Sequence, residues 1–286
     1  MEPSTRTQLS QLGSGLASAE TGAASAGSAQ PPAALPIRTT TTSPSLNAAA
    51  VIAIDRDTST VLYAKSSEAR RPIASLTKLI TALVILSRHT PDERLTIPTL
   101  PDYPQAAETM GLVPGDTFAL GDVLEAALVP SANDAADALA IADAGSLPKF
   151  AARMNLKMAE WGIADARFVS ASGLQDDGNY ASAAALAKVA GLALHNPTIA
   201  AIVQRSSISI MSDQGRTYNL KSTNDLLASG RFYGIKTGYT FAAGECFVGL
   251  TRINGHEVIT VVLGSDNRFG TTTTLTNWIG RSWQWL

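Results

Sequence analysis

The chain has 286 residues, 45% hydrophobic and 16% charged, which is globular composition with material for a substantial core. With 22 Lys and Arg against 24 Asp and Glu, the formal net charge of −2 gives no electrostatic basis for binding nucleic acid or an anionic membrane surface. Cys246 is the only cysteine and His89, His195 and His256 are scattered, which excludes an internal disulfide and leaves no short-spaced zinc motif.

The N-terminus, MEPSTRTQLSQLGSGLASAE, lacks the continuous apolar run of an ordinary signal peptide. From Gly13 to Ser45 the chain is rich in Ala, Ser, Gly, Thr and Pro without apolar periodicity, so residues 1–46 read as a disordered, low-complexity leader or tether. Order is expected from Asn47, with 47–286 as one folded domain. AAVIAIDRDTSTVLYAK (49–65) predicts a hairpin around the polar DRDTST. A helix follows from Ser75, with Leu76, Leu79, Ile80, Leu83 and Val84 on one face. Its apolar stretch LITALVIL is far too short to span a bilayer, so no transmembrane segment is predicted.

Residues 95–120 are proline-broken and carry short strands at most. Asp122 sits where an N-cap would, opening a helix that stops at Pro130. Further helices are predicted over Asn133–Ala144, over 148–161 ended by Gly162, and over 182–195. SSISIMS and RTYNLKS alternate like paired strands. FYGIKTGYT, ECFVGLTRI and HEVITVVLGS read as three more strands, turning at Ala243–Gly244 and Asn254–Gly255, before a final helix over 273–283. Strands at both ends must meet in one sheet, leaving the central helices as a lobe beside it. The fold class is therefore α+β, an antiparallel sheet flanked by helices plus a mostly helical lobe.

Three short stretches carry possible chemistry. In ASLTK, Ser75 and Lys78 lie one helical turn apart on one face, so the amine reaches the hydroxyl. A serine hydroxyl is a weak nucleophile until a base takes its proton. For Lys78 to be that base its pKa must fall from about 10.4 to near neutrality, about 4 kcal/mol of environmental bias. Burial and a second nearby cation are the two sources of such a bias. In VPSANDAADALA, Ser131 and Asn133 straddle two helices, although Ser, Asn and Asp are also ordinary N-cap residues. In GIKTGYT, Lys236 and Gly238 share one strand face and Thr237 takes the other, and the glycine would let a ligand approach the backbone.

In this order, Ser-x-x-Lys, Ser-x-Asn and Lys-Thr-Gly form the motif set of the penicillin-recognising serine enzymes. The flanks RRPIASLTKLITALV, MGLVPGDTFALGDVLEAALVPSANDAADALA, FVSASGLQDDGNYASAAALAKVA and STNDLLASGRFYGIKTGYTFAAGECFVG resemble the serine D-alanyl-D-alanine carboxypeptidases, low-molecular-mass penicillin-binding proteins. The resemblance runs from about residue 47 to 283. It implies the β-lactamase/transpeptidase-like fold and removal of the terminal D-alanine from peptidoglycan stem peptides. Ser75 would be the nucleophile, Lys78 its base and Ser131 a proton relay. Asn133, Lys236, Thr237, Gly238 and Tyr239 would bind substrate, with the Ser75 and Tyr239 N–H groups as an oxyanion hole. No metal or cofactor is implied. β-Lactam antibiotics would be covalent inhibitors, and the protein would act outside the cytoplasmic membrane.

Two alternatives share the motifs. A class A-like β-lactamase adds a glutamate for deacylation, and after Ser131 only Glu160, Glu245 and Glu257 occur, none in that family's Glu-x-x-Leu-Asn context. A non-catalytic wall-binding protein of the same fold has no need of intact Ser75, Lys78, Ser131 and Lys236. The chain departs from the family in showing no export signal, and it ends at Leu286, where many members continue into a further β-domain and anchor.

Overall fold

The computed structural model describes residues 34–174 and 178–286. The leader expected over 1–46 thus lies outside the described residues up to position 33. Beyond that point the structure differs, because β1 (Pro36–Arg38) pairs antiparallel with the last strand, β14 (Trp283–Trp285). The ordered chain reaches back past Asn47. Trp278 holds the attached segment: Arg38 stacks over its ring, and its Nε1 donates to the carbonyl of Thr42. Trp285 in turn stacks on His256 and donates to the carboxylate of Asp55.

The predicted hairpin is β2 (Ala48–Asp55) and β3 (Val61–Lys65), its turn held by Asp55, which accepts from the N–H and hydroxyl of Thr58. A short β4 (Arg71–Pro72) leads into a 3-10 turn, Ala74–Leu76, and then α1 (Thr77–Leu86). The one apolar face expected for α1 understates its burial. Thr77 through Ile85 are all buried, since α1 touches α2 (Leu120–Leu128), α3 (Asn133–Ala144), α4 (Leu147–Glu160) and α5 (Ala183–His195) at once. A helix buried on every side is the axis of its lobe.

The proline-broken segment is bracketed by β5 (Arg94–Thr96) and β6 (Thr117–Ala119), which pair. Asp122 does not cap α2. The helix begins at Leu120, and its first free N–H groups are taken by backbone: Leu120 donates to Glu93 and Gly121 to Pro91. Asp122 is left in the first turn, where an anion still suits the helix dipole. The third and fourth helices match their predicted spans within a residue or so. The tiny strands β7 (Ala166–Arg167) and β8 (Tyr180–Ala181) join β4 in a ribbon. After α5 comes α6 (Pro197–Ile202), unpredicted although Asn196 caps it by accepting from Thr198 and Ile199. The pair β9 (Ser207–Met211) and β10 (Thr217–Lys221) forms as expected.

The remaining strands are β11 (Phe232–Thr240), β12 (Gly244–Ile253) and β13 (His256–Ser265), and α7 (Arg268–Ser282) closes the chain. Asn254 and Gly255, both with positive φ, make the two-residue turn between β12 and β13. The helix starts five residues before the predicted 273 because Asn267 caps it, accepting from Gly270 N. Strands from both chain ends make one antiparallel sheet in the order β11-β12-β13-β2-β3. One face, with Ala50, Ile52, Val248, Ile259 and Val261, packs on the helical lobe. The other, with Val51, Ala53, Val258 and Val262, packs on Leu275, Trp278 and Ile279 of α7. This places β11 at a free sheet edge, beside the 3-10 turn that carries Ser75.

One polar tie fixes the rim of the helical lobe. The buried Asp134 carboxylate accepts N–H groups from Met110, Gly111 and Leu112. Asp134→Ala should therefore lower stability by about 2–4 kcal/mol, the scale of several orphaned backbone donors, measured by urea unfolding. Asp134→Asn, which keeps one acceptor oxygen, should lose less.

Candidate active site

Several stretches of the chain line one cavity of about 180 Å³. The 3-10 turn supplies Ser75, Ser131 precedes α3 and Asn133 opens it, and β11 supplies Thr237, Gly238 and Tyr239. Residues 173–174 line it as well. Ala74 and Ser131 both hold left-handed backbone, φ 48° and 69°, a strained conformation for non-glycine residues that turns the chain sharply at the cavity wall.

Lys78 is fully buried, one turn along α1. Its Nζ lies 2.8 Å from Ser75 Oγ, 2.7 Å from Asn133 Oδ1 and 2.8 Å from the Ser172 carbonyl oxygen. Two of those three partners can only accept. A neutral amine has two protons, so once both carbonyl oxygens are served its lone pair is left facing the Ser75 hydroxyl. Burial brings the Lys78 pKa down to about 7, against the opposing pull of Asp137, Asp134 and Glu108. Of the two sources of bias anticipated from sequence, burial is the one that lowers Lys78.

The supposed cap residues before α3 do not cap it. The N-cap position is Ala132, and no side chain bonds the first turn from there. Asn133 instead spends its carbonyl on Lys78, and its backbone N–H donates to Glu108. Ser131 is buried at the cavity wall.

On β11, Lys236 is 1% exposed and donates to the Thr237 carbonyl at 3.1 Å. Burial, then the like charges of Lys78 and Arg268, push its pKa well below the usual lysine range. Thr237 meets the hydroxyl of Thr223, and Tyr239 stands half-exposed at the rim. Gly238 lines the cavity, but its bare Cα serves the protein's own backbone. A Cβ there would sit 3.0 Å from the Ile73 carbonyl and 3.1 Å from Ser75 N. The close approach expected for a ligand is made by the serine turn itself.

Several residues at the site went unassigned in sequence. Arg268, first residue of α7, reaches the cavity and donates from Nη1 to the Gly238 carbonyl. Glu108 and Thr223 also line it. Gly173, φ 76°, packs so closely that a Cβ would lie 2.1 Å from the Ala74 carbonyl. Asn179 locks this segment by accepting from Val169 and Ser170 while donating to Thr77 Oγ1. Only the SGL and GNY flanks, quoted for their resemblance, carried a signal for these. The three glutamates after Ser131 stand away from the cavity lining: Glu160 pairs with Lys157, Glu257 with Arg56, and Glu245 accepts from Arg268 N. Cys246 is a buried core thiol. Among the described residues no group of three or more His, Cys, Asp or Glu is placed to hold a metal ion.

A nucleophile–lysine pair at the junction of a helical lobe and an antiparallel sheet edge defines the penicillin-binding serine peptidase class. The sequence pattern of the peptidase S11 family, D-alanyl-D-alanine carboxypeptidase, matches residues 37–267. The chain belongs to this family, and its activity is that of a serine D-alanyl-D-alanine carboxypeptidase. It is 31% identical over 252 residues to a D-alanyl-D-alanine endopeptidase of Escherichia coli K12, covering 84% of this chain and 80% of that one. It is also 31% identical over 246 residues to a D-alanyl-D-alanine carboxypeptidase of Streptomyces sp. K15, covering 80% and 84%. The crystal structure of the Streptomyces K15 DD-transpeptidase superposes with a TM-score of 0.75 at 28% identity, over 83% of this chain and 98% of that one. Penicillin-binding protein D2 of Listeria monocytogenes, in its cefotaxime-bound form, gives 0.73 at 30% identity, over 84% and 100%.

Gly173 offers a test of the geometry. Gly173→Ala must push the Ala74–Ser75 turn away from Lys78, and a misplacement of about 1 Å costs about a hundredfold in rate. Acylation by a penicillin should fall by that order while circular dichroism stays that of a folded protein.

Proposed function

We propose that the chain removes the terminal D-alanine from peptidoglycan stem peptides through an acyl-enzyme on Ser75. The 2.8 Å contact between Ser75 Oγ and a buried Lys78 whose other protons are committed to carbonyl oxygens carries the assignment. Ser75 Oγ bonds to the carbonyl carbon between the two D-alanines as its proton passes to Lys78 Nζ. The tetrahedral oxyanion is received by the N–H groups of Ser75 and Tyr239. Ser131 relays the proton to the departing D-alanine nitrogen and the C–N bond breaks. Water then cleaves the Ser75 ester, leaving the shortened peptide and the free hydroxyl. Lys236, Thr237 and Arg268 receive the free carboxylate of the substrate, and Asn133 orients both the peptide and Lys78.

β-Lactams enter the same cycle as pseudo-substrates and stay as the Ser75 ester. The work is done on the extracytoplasmic side, where the peptidoglycan lies, and no helix among the described residues is long and apolar enough to cross a membrane. Relatives named D-alanyl-D-alanine endopeptidase support a second reading, cleavage of an internal D-alanyl bond. Arg268 at the cavity and Lys236 on β11, read as receivers of a free carboxylate, support the first.

Intact mass after exposure to a penicillin, with peptide mapping, should show one adduct on Ser75 and none in Ser75→Ala. An adduct elsewhere would remove the assignment. D-Alanine release should be faster from a free D-Ala-D-Ala peptide than from a cross-linked dimer, and Lys236→Ala should narrow the penalty of an amidated terminus.

The pH dependence has a definite sign. Lys78 must be neutral to act, so acylation should hold above its pKa of about 7 and fall as pH drops below it. Lys78→Arg keeps the charge and removes the base, and should slow acylation by at least about a hundredfold at every pH tested. A folded arginine variant that acylates near the wild-type rate would show that Lys78 is not the base.

A further inference from the structure

Behind the wall that carries Ser172 lies a second cavity of about 270 Å³, lined by Tyr103, Asp137, Leu147, Val169, Ser172 and Leu174. Leu174 borders both cavities. Asp137 stands one helical turn beyond Asn133 on α3, so both side chains lie on the face turned toward Lys78. The carboxylate is 4% exposed. One oxygen accepts from Tyr103 OH at 3.0 Å; the Ser172 side chain is close enough to favour the ionised carboxylate, without a well-directed hydrogen bond to the other oxygen. A carboxylate this buried and served by so few donors is costly to keep ionised.

We propose that Asp137 is a positioning residue that sets the protonation of Lys78 as its buried counter-charge, with Tyr103 holding it in the ionisable state. This rests on the assignment of Lys78 as the base. The groups around the pair are few. Lys78 faces Ser75 from its own turn, Asn133, Asp134 and Asp137 from α3, Glu108 from the rim segment, Ser172 from the wall, and Lys236 on β11, beyond which lies Arg268. Asp137 faces Tyr103, Lys78, Ser172 and Asp134, and Asp102 lines the same second cavity. Asp134 is committed to four backbone donors and Glu108 stands at an exposed rim, which leaves Asp137 as the buried anion free to answer the lysine. Burial raises its own pKa to about 6, opposed by the Tyr103 hydrogen bond and the Lys78 charge.

The sign follows from charge alone. An ionised Asp137 favours protonated Lys78, so it raises the pH below which the enzyme stops acylating. Asp137→Asn removes the anion and should move the acid limb of the acylation rate, read with a fluorescent penicillin from about pH 5 to 9, down by about one pH unit. The plateau rate should stay within about threefold, because Asp137 touches neither Ser75 nor the cavity that holds substrate. Tyr103→Phe, on a different segment, leaves the ionised carboxylate without its donor and should move the limb the same way by less. Combining the two should add nothing to Asp137→Asn. A wild-type enzyme that takes no label would sink the base assignment, and this proposal with it. A labelled wild type whose acid limb stays put or rises in Asp137→Asn would overturn this proposal alone. A uniform loss at every pH with an unmoved midpoint would do the same, since that is what a purely structural residue gives. Should Asp137→Asn not fold, an unmoved limb in Tyr103→Phe overturns the proposal on its own.

Discussion

A fully buried lysine amine is the constraint around which this fold is arranged. An ammonium deep in an apolar lobe is costly unless each proton meets an acceptor, and Lys78 sits on the most enclosed helix of the molecule. Its acceptors come from three separate chain segments: the serine turn, the start of α3 and the wall at Ser172. Each segment has to be held in place by something else. Asp134 pins the rim to α3, Asn179 locks the wall to Thr77, and Gly173 lets the wall close onto Ala74. Loosening any of these frees an acceptor and strands the amine. The active-site geometry and the stability of the lobe are thus one problem.

The elements of the fold were legible where local chemistry decides them. Alternation marked the strands, Gly162 and the Asn254–Gly255 pair marked stops and turns, and strands at both ends required a shared sheet. What escaped was set by tertiary contact. Asp122 looked like a cap, but the carbonyls of Pro91 and Glu93 had already filled the first turn. The strand at Pro36–Arg38 is too short to show a period, and exists because the Trp-rich C-terminus offers it an edge and rings to cover. At the site, the three motifs carried every residue assigned in advance, and the cavity brings their chain segments together. Arg268 was invisible because nothing in its neighbourhood marks it; only the cap at Asn267 starts α7 early enough to aim it at Gly238. Asn133, for which capping was the ordinary alternative, instead holds Lys78 as the motif resemblance implied.

The same site must be basic enough to attract a carboxylate and yet leave its base uncharged. Three basic side chains, Lys78, Lys236 and Arg268, lie close together; burial holds Lys78 below its usual range, and burial with the charges of Lys78 and Arg268 does the same for Lys236. On the proposed assignment, a substrate carboxylate settling on Lys236 and Arg268 supplies the anion they lack. A ligand without the carboxylate gains no such pairing and finds a site whose arginine remains turned to the Gly238 carbonyl. On the proposed roles, selectivity for a free terminus and readiness of the base both depend on the charges around Lys78, and the buried Asp137 sets where on the pH scale that base becomes free.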